Sequence, residues 1–318
     1  METVPGHHAL AAPPREAVVA IGNFDGVHVG HQHIFRLVAA QARARRGTAC
    51  VLTFEPHPAR VLAPELAPPL IVPLSRKLEL IAACGIDLCV VEPFDLAFAA
   101  RPPDAFVDEI LARALSAREV VVGQDFTYGR GRAGTVETLR AAGPTHGFAL
   151  TAVDKVTVGG LVASSSKVRE LVLEGKVDGA ARLLGRPFEL CGPAIRGAGR
   201  GRTIGVPTAN LQTEYELLPR QGVYAGWVRL PDARGRHGAA INIGFNPTFS
   251  QNDALSVEAH ILDWNGDLYG QRITIEFAAR LRGEERFPNA QALVAQIERD
   301  IEKTRVILAR QGGDHGAG

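Results

Sequence analysis

The apolar pattern changes character once along this chain, and that change limits the available folds more than any other feature. In the first half, short apolar runs alternate with segments of helical period. Residues 17–21, 49–54, 87–91, 119–123 and 148–153 predict strands, and 33–45, 75–84, 104–115 and 136–142 predict helices. Strands separated by helices imply crossovers and a doubly wound parallel sheet. After Gly185 the strands follow one another directly, at 189–195, 223–230, 237–243, 256–262 and 273–277, with Gly, Pro, Asn and Asp turns between them. That succession predicts an antiparallel barrel or sandwich. A last helix, about 289–308, places Leu293, Val294, Ile297, Ile301 and Leu308 on one stripe, suited to packing on a sheet. The resulting division is an N-terminal extension at 1–16, an α/β domain at 17–184, a β domain at 186–310 and a tail at 311–318.

A length of 318 residues suits two cores rather than one. Thirty-five basic side chains against 34 acidic ones leave no net field to favour nucleic acid or an anionic membrane. Cys50, Cys84, Cys89 and Cys191 have no C-x-x-C or metal-ligand spacing and read as small buried hydrophobes. Residues 1–16 hold no apolar run of signal-peptide length, and no segment approaches the roughly 20 apolar residues of a membrane span. The expectation is a cytoplasmic protein.

In a doubly wound sheet the ligand lies beyond the carboxyl ends of the strands. The loop there after the first strand reads Gly22-Asn23-Phe24-Asp25-Gly26-Val27-His28-Val29-Gly30-His31. Free N–H groups at the following helix start favour an anion, Gly30 permits close backbone approach, and both imidazoles can donate to phosphate oxygens. Near the end of the same half, Ser164-Ser165-Ser166-Lys167-Val168-Arg169 opens another helix with hydroxyls and two cations, which is either a second anion site or an ordinary capped helix. Gly129-Arg130-Gly131-Arg132-Ala133-Gly134 satisfies G-x-G-x-x-G but lies several residues beyond its strand, where a dinucleotide fingerprint would follow directly.

In the second half, Thr208 and Asn210 stand two apart. In an extended segment they share a face and offer two neutral oxygens to a cation such as Mg²⁺, although a polar turn accounts for the same residues. Glu258 interrupts a strand-like run, as either an outward charge or a general base. No G-x-x-x-x-G-K-[ST] occurs, so a kinase here would hold ATP by other means.

Taken together, these motifs resemble two known families. The histidine loop, Thr53-Phe54-Glu55-Pro56-His57-Pro58, the Gly123–Gly134 segment and the serine-rich helix start resemble the FAD synthetase module, a Rossmann-like nucleotidylyltransferase, over residues 17 to 184. Gly205-x-Pro207-Thr208-Ala209-Asn210, Gly222-Val223-Tyr224, Asn242-Ile243-Gly244-x-x-Pro247-Thr248-Phe249, Val257-Glu258 and Leu268-Tyr269-Gly270 resemble the riboflavin kinase domain, a six-stranded antiparallel barrel with a terminal helix, over 186 to 307. The resemblance implies ATP contacts at Gly22, Phe24, Asp25, Gly30, Ser164, Ser165, Ser166, Thr208 and Asn210. It implies triphosphate chemistry at His28, His31, Lys167 and Arg169, and flavin contacts at Asp125, Phe126, Tyr128 and Arg132. Thr208 and Asn210 would meet Mg²⁺–ATP, Glu258 would be the base, and the basic stretch Arg196–Arg202 would offset polyphosphate charge. Relatives usually carry isoleucine at Ala163 and arginine at Lys167; lysine keeps the charge but not bidentate recognition.

The implied activity is phosphorylation of riboflavin to FMN, then adenylylation of FMN to FAD with release of pyrophosphate. Two other readings stay open: a kinase whose first domain only senses flavin, and a non-catalytic flavin-binding protein.

Overall fold

The computed structural model describes residues 1–196, 205–231, 235–245 and 255–313. Clustering of contacts divides the chain into two compact units, Met1–Ser165 and Ser166–Gly318.

The first unit is built on a six-stranded, all-parallel sheet. Its strands are β1 (Glu2–Pro5), β2 (Ala17–Ile21), β3 (Ala49–Glu55), β4 (Leu88–Pro93), β5 (Ala117–Gly123) and β6 (Ala149–Val153), in the order β1-β4-β3-β2-β5-β6. Every residue of β2 is buried. Because side chains alternate across a strand, Ala17, Val19 and Ile21 enter one core while Val18 and Ala20 enter the other. Helix α1 (Val29–Arg45) closes one face with Ile34, Phe35, Val38 and Ala42, joined by Ile81 of α2 (Leu74–Ala82). The opposite face is covered by α3 (Phe106–Ala114), through Phe106, Val107, Ile110 and Leu111, and by Leu139 of α4 (Val136–His146). Apolar layers on both sides of a Val-rich sheet are what an all-parallel arrangement requires.

The N-terminus adds an element to this sheet. Residues 2–5 form the edge strand β1, paired with β4 from Glu2↔Leu88 to Pro5↔Val91. The chain then turns so that His7, buried with its partner, sets Nδ1 2.8 Å from the Glu92 carboxylate, and the His7 backbone N–H donates to the same group at 2.8 Å.

The second unit takes α5 (Ser165–Leu173) from its second residue onward, and then α6 (Val177–Leu184). These fall with the following barrel rather than with the sheet: α6 packs on two barrel strands, and Arg220 N donates to Val172 O at 3.2 Å. The barrel is closed, with strands β7 (Phe188–Ile195), β8 (Ala209–Leu211), β9 (Gly222–Arg229), β10 (His237–Phe245), β11 (Leu255–Ile261) and β12 (Arg272–Arg282) in the order β7-β8-β11-β10-β9-β12. Every neighbouring pair is antiparallel. Helix α7 (Ala290–Gly313) is capped by Asn289, whose Oδ1 accepts from Ala292 N at 2.8 Å. Leu308 of this helix packs with Ala225, Trp227 and Ala278. An ion pair also ties helix to barrel, with Arg282 Nη2 2.8 Å from Oδ2 of buried Asp300. The short strand β8 was not foreseen as a strand.

Candidate active sites

In the first unit, the sheet order reverses at β2, whose neighbours are β3 on one side and β5 on the other. The crevice beyond such a reversal is where doubly wound sheets bind ligands. The loops leaving β2 and β5 carry residues 22–28 and 124–126 to that edge.

His28 is the N-cap of α1, and its Nδ1 accepts from the His31 backbone N–H at 3.4 Å. An accepting Nδ1 carries no proton, so the neutral ring keeps Nε2–H as a donor. The two imidazoles stack with centroids 3.6 Å apart, and Phe24 meets His31 edge-on at 5.2 Å. A Cβ on Gly30 would lie 3.0 Å from the His28 ring, so a side chain there would press on the stacked pair. Burial is the main cause holding the His31 imidazole well below its ordinary value, followed by His28 and Lys77 nearby. His31 Nδ1 is buried and has no hydrogen-bond partner among the described residues. A neutral imidazole with an unsatisfied nitrogen in this position is suited to receive a ligand group.

Lys77 escaped the sequence reading. It is buried beneath the loop, and Nζ donates to Thr53 Oγ1 at 3.3 Å and to Asn23 O at 3.4 Å. Burial lowers the pKa of its ammonium, while the Glu55 and Asp25 carboxylates oppose that shift. Asp25 is also buried, its carboxylate accepting from Ile71 N at 3.1 Å; it braces the loop from inside. Gly26 sits at φ +78°, where a Cβ would press on Ile71 at 2.8 Å. Gly22 lies against the ring of Phe24.

The serine-rich segment divides between the units. Ser164 and Ser165 belong to the first, and Ser165 Oγ donates to Asp25 O at 2.9 Å. Ala163 O is 3.8 Å from where a Gly30 Cβ would stand, so this segment closes on the histidine loop. Ser166, Lys167 and Arg169 belong to the second unit, where Lys167 Nζ pairs with Glu170 at 2.6 Å and Arg169 is buried. Beyond β5, Asp125 pairs with Lys155 at 3.1 Å. Phe126 is half-buried, with its ring nearly parallel to that of Tyr128 at 5.8 Å. Tyr128 is a core residue with its hydroxyl 3.3 Å from Thr138 Oγ1, and exposed Arg132 donates to Thr127 Oγ1 at 2.9 Å. The G-x-G-x-x-G segment is the connection of a small hairpin whose strands are Thr127–Tyr128 and Gly134–Thr135.

In the barrel, pairing register assembles the site. Asn210 on β8 stands directly opposite Glu258 on β11, and Glu258 directly opposite Asn242 on β10. Opposed residues share a face, so a carboxylate lies between two amides. Thr208 Oγ1 donates to Glu258 Oε2 at 3.3 Å. Thr208, Asn242 and Glu258 line a cavity of about 890 Å³, which α7 walls with Leu293 and Ile297. Thr208 also borders a second cavity of about 440 Å³, lined by Arg196, Trp264 and Tyr269 among others. The Arg196 guanidinium lies 5.0 Å above the Tyr269 ring. Two neutral oxygen donors beside one carboxylate fit a hard cation that keeps water and phosphate as its other ligands. Among the described residues no cluster of three His, Cys, Asp or Glu forms a self-sufficient metal cage. Residues 197–202 of the basic stretch and Asn246, Pro247, Thr248 and Phe249 of the second motif lie outside the described residues.

A sheet with paired imidazoles at its reversal point, followed by a barrel whose row of two amides around a carboxylate is joined by the Thr208 hydroxyl, suits a transferase of phosphate-bearing groups. The FAD synthetase family model matches residues 10–167 and the riboflavin kinase model residues 184–308. Bifunctional riboflavin kinase/FMN adenylyltransferases from Pseudomonas fluorescens and Escherichia coli K12 are each 37% identical to this chain. The first covers 97% of the chain and 98% of its own length, the second 94% and 96%. A crystal structure from Streptococcus pneumoniae, described as a macrolide-efflux protein, matches with a TM-score of 0.86 at 30% identity, covering 96% of this chain and 99% of that one. Among the described residues no helix is long and apolar enough to cross a membrane. The chain belongs to the family of bifunctional riboflavin kinase/FMN adenylyltransferases, an enzyme with both activities in one polypeptide.

Proposed function

We propose that riboflavin is phosphorylated in the 890 Å³ barrel cavity with Glu258 as general base, and that FMN is adenylylated at the histidine loop. The observation that carries this reading is Glu258 itself, set in register between Asn210 and Asn242 and bonded by Thr208 at the wall of that cavity. A ribityl hydroxyl is a poor nucleophile at neutral pH. A carboxylate within hydrogen-bond reach accepts its proton as the bond to the γ-phosphorus forms. The 440 Å³ cavity that Thr208 also borders, with its aromatic and arginine lining, suits the nucleotide. Thr208 and Asn210 would hold Mg²⁺, which when bound neutralises polyphosphate charge.

At the first site no protein nucleophile is needed. An FMN phosphate oxygen attacks the α-phosphorus of ATP and pyrophosphate leaves, so the residues align the reactants and offset charge. His28 and His31 donate to the triphosphate. Gly22, Phe24, Asp25 and Gly30 shape its loop, Ser164, Ser165 and Ser166 are ATP contacts by the family resemblance, and by the same resemblance Lys167 and Arg169 would stabilise the departing pyrophosphate. Phe126, Asp125 and Arg132 face the flavin, with Tyr128 supporting Phe126 from the core. We assign the α/β domain to residues 17–184 and the kinase domain to 186–310, and place the enzyme in the cytosol, where its four free thiols suit a reducing medium.

The test is to incubate the protein with riboflavin, ATP and Mg²⁺ and separate the flavins. Glu258→Gln should stop FMN formation yet still convert supplied FMN to FAD. His28→Ala with His31→Ala should do the reverse. Loss of both activities together in either folded variant would refute the two-site assignment.

A further inference from the structure

The segment that presents Thr208 has little backbone support. Strand β8 is three residues long, and its ladder to β11 ends at the pair Ala209↔Ala259. Thr208 lies one residue beyond that last pair, outside the strand. Two side chains from β11 reach across the gap. Glu258 and His260 are two apart on the strand and therefore share a face. Glu258 takes the Thr208 hydroxyl at 3.3 Å, and His260 Nδ1 lies 2.8 Å from the Pro207 carbonyl oxygen. A carbonyl can only accept, so Nδ1 carries the proton, a condition met by one neutral tautomer and by the imidazolium alike. The His260 ring lines the same cavity as Thr208 and Glu258.

We propose that His260 is a positioning residue of the riboflavin kinase site: its Nδ1–H bond to the Pro207 carbonyl stands in for the missing ladder rung and fixes where Thr208 presents its hydroxyl. This rests on the reading of Thr208 and Glu258 given under Proposed function. The ligand class served is a metal–nucleoside triphosphate, because Thr208 is the side chain common to both cavities. His260 does not itself exchange a proton with substrate. A side chain that only orients a neighbour can be replaced by any group placing an N–H at the same point. Asparagine does so, since its amide nitrogen occupies about the position of Nδ1. Glutamine carries its amide one carbon further and does not.

The experiment compares His260→Ala, His260→Gln, His260→Asn and Glu258→Gln by steady-state kinetics with riboflavin, ATP and Mg²⁺. FAD formation from supplied FMN and the thermal midpoint are followed in parallel. In His260→Ala and His260→Gln the KM for ATP should rise roughly tenfold, the size of one lost hydrogen bond. Their kcat should stay within about twofold of the parent, on the same reasoning that uniform binding is lost. His260→Asn should stay close to the parent, and FAD formation from FMN should be unchanged throughout. An unaltered KM in His260→Ala, equal behaviour of the Asn and Gln variants, or a fall in kcat at constant KM would each overturn the proposal. If His260→Ala fails to fold, the Asn and Gln pair decides alone. Persistence of FMN formation in Glu258→Gln would instead remove the site assignment beneath it, and the clamp with it.

Discussion

His31 shows how burial sets chemistry at the scale of one side chain. Its imidazole is held neutral mainly by desolvation, so it can act at a polyphosphate as a hydrogen-bond donor or acceptor but not as a fixed charge. The same shift makes a statement about stability. Above the ordinary histidine pKa of about 6.5 both folded and unfolded forms are neutral and the group contributes nothing to the pH slope. As the pH falls below that value the unfolded chain takes up a proton that the folded chain refuses, so stability drops until the folded pKa is reached. Urea midpoints of the parent should therefore fall between pH 7.5 and pH 5, and His31→Gln should show a smaller fall over the same interval. The histidines were legible because they sit three apart around a glycine, between strand and helix. Lys77 was not, because its partners Asn23 and Thr53 are 54 and 24 residues away and nothing local marks a lysine as buried. Asn242 stood in a motif with no role of its own, and His260 stood inside a strand; only register places the one opposite Glu258, and only the fold sets the other against Pro207.

At the scale of elements, two polar side-chain pairs hold pieces that the apolar pattern leaves weakly specified. Strand β1 is four residues long, ends in proline and buries one side chain, Val4, too little for a periodic signal. His7 and Glu92 fix it to the end of β4. Removing one member of a buried pair leaves the other uncompensated, so Glu92→Ala should destabilise the first unit by about 3 kcal/mol in chemical denaturation. The pair Arg282–Asp300 does the same for α7, with Gln296 adding a bond to Asp300 at 2.9 Å. Asp300→Ala should raise the KM for riboflavin, since Leu293 and Ile297 on that helix wall the larger cavity, while leaving FAD formation from FMN intact. Long, doubly buried strands and α1 were readable because their patterns are strong. Strand β8, at three residues, is closed by its neighbours' register rather than by its own sequence, and its residues read equally well as a polar turn.

For the whole molecule, the change from alternating helices and strands to strands alone was enough to divide the chain by motif, while by contact α5 and α6 group with the barrel. Both helices have an ordinary apolar stripe, and a stripe does not say which sheet it will cover. Because each proposed site is complete in chemistry without the other, Glu258→Gln mixed with the His28→Ala, His31→Ala variant should regenerate FAD from riboflavin, through FMN released by one chain and captured by the other. Absence of FAD from that mixture, with each variant retaining its own half-reaction, would mean that FMN does not travel through solution. The chain's two tryptophans, Trp227 and Trp264, both lie in the second unit, the former under the Arg236 guanidinium and the latter lining the 440 Å³ cavity. Intrinsic indole emission is therefore an optical channel that listens to the barrel and is deaf to the sheet. A titration with ATP should perturb it through Trp264, Trp264→Phe should silence that response, and binding events confined to the histidine loop will need a reporter of their own.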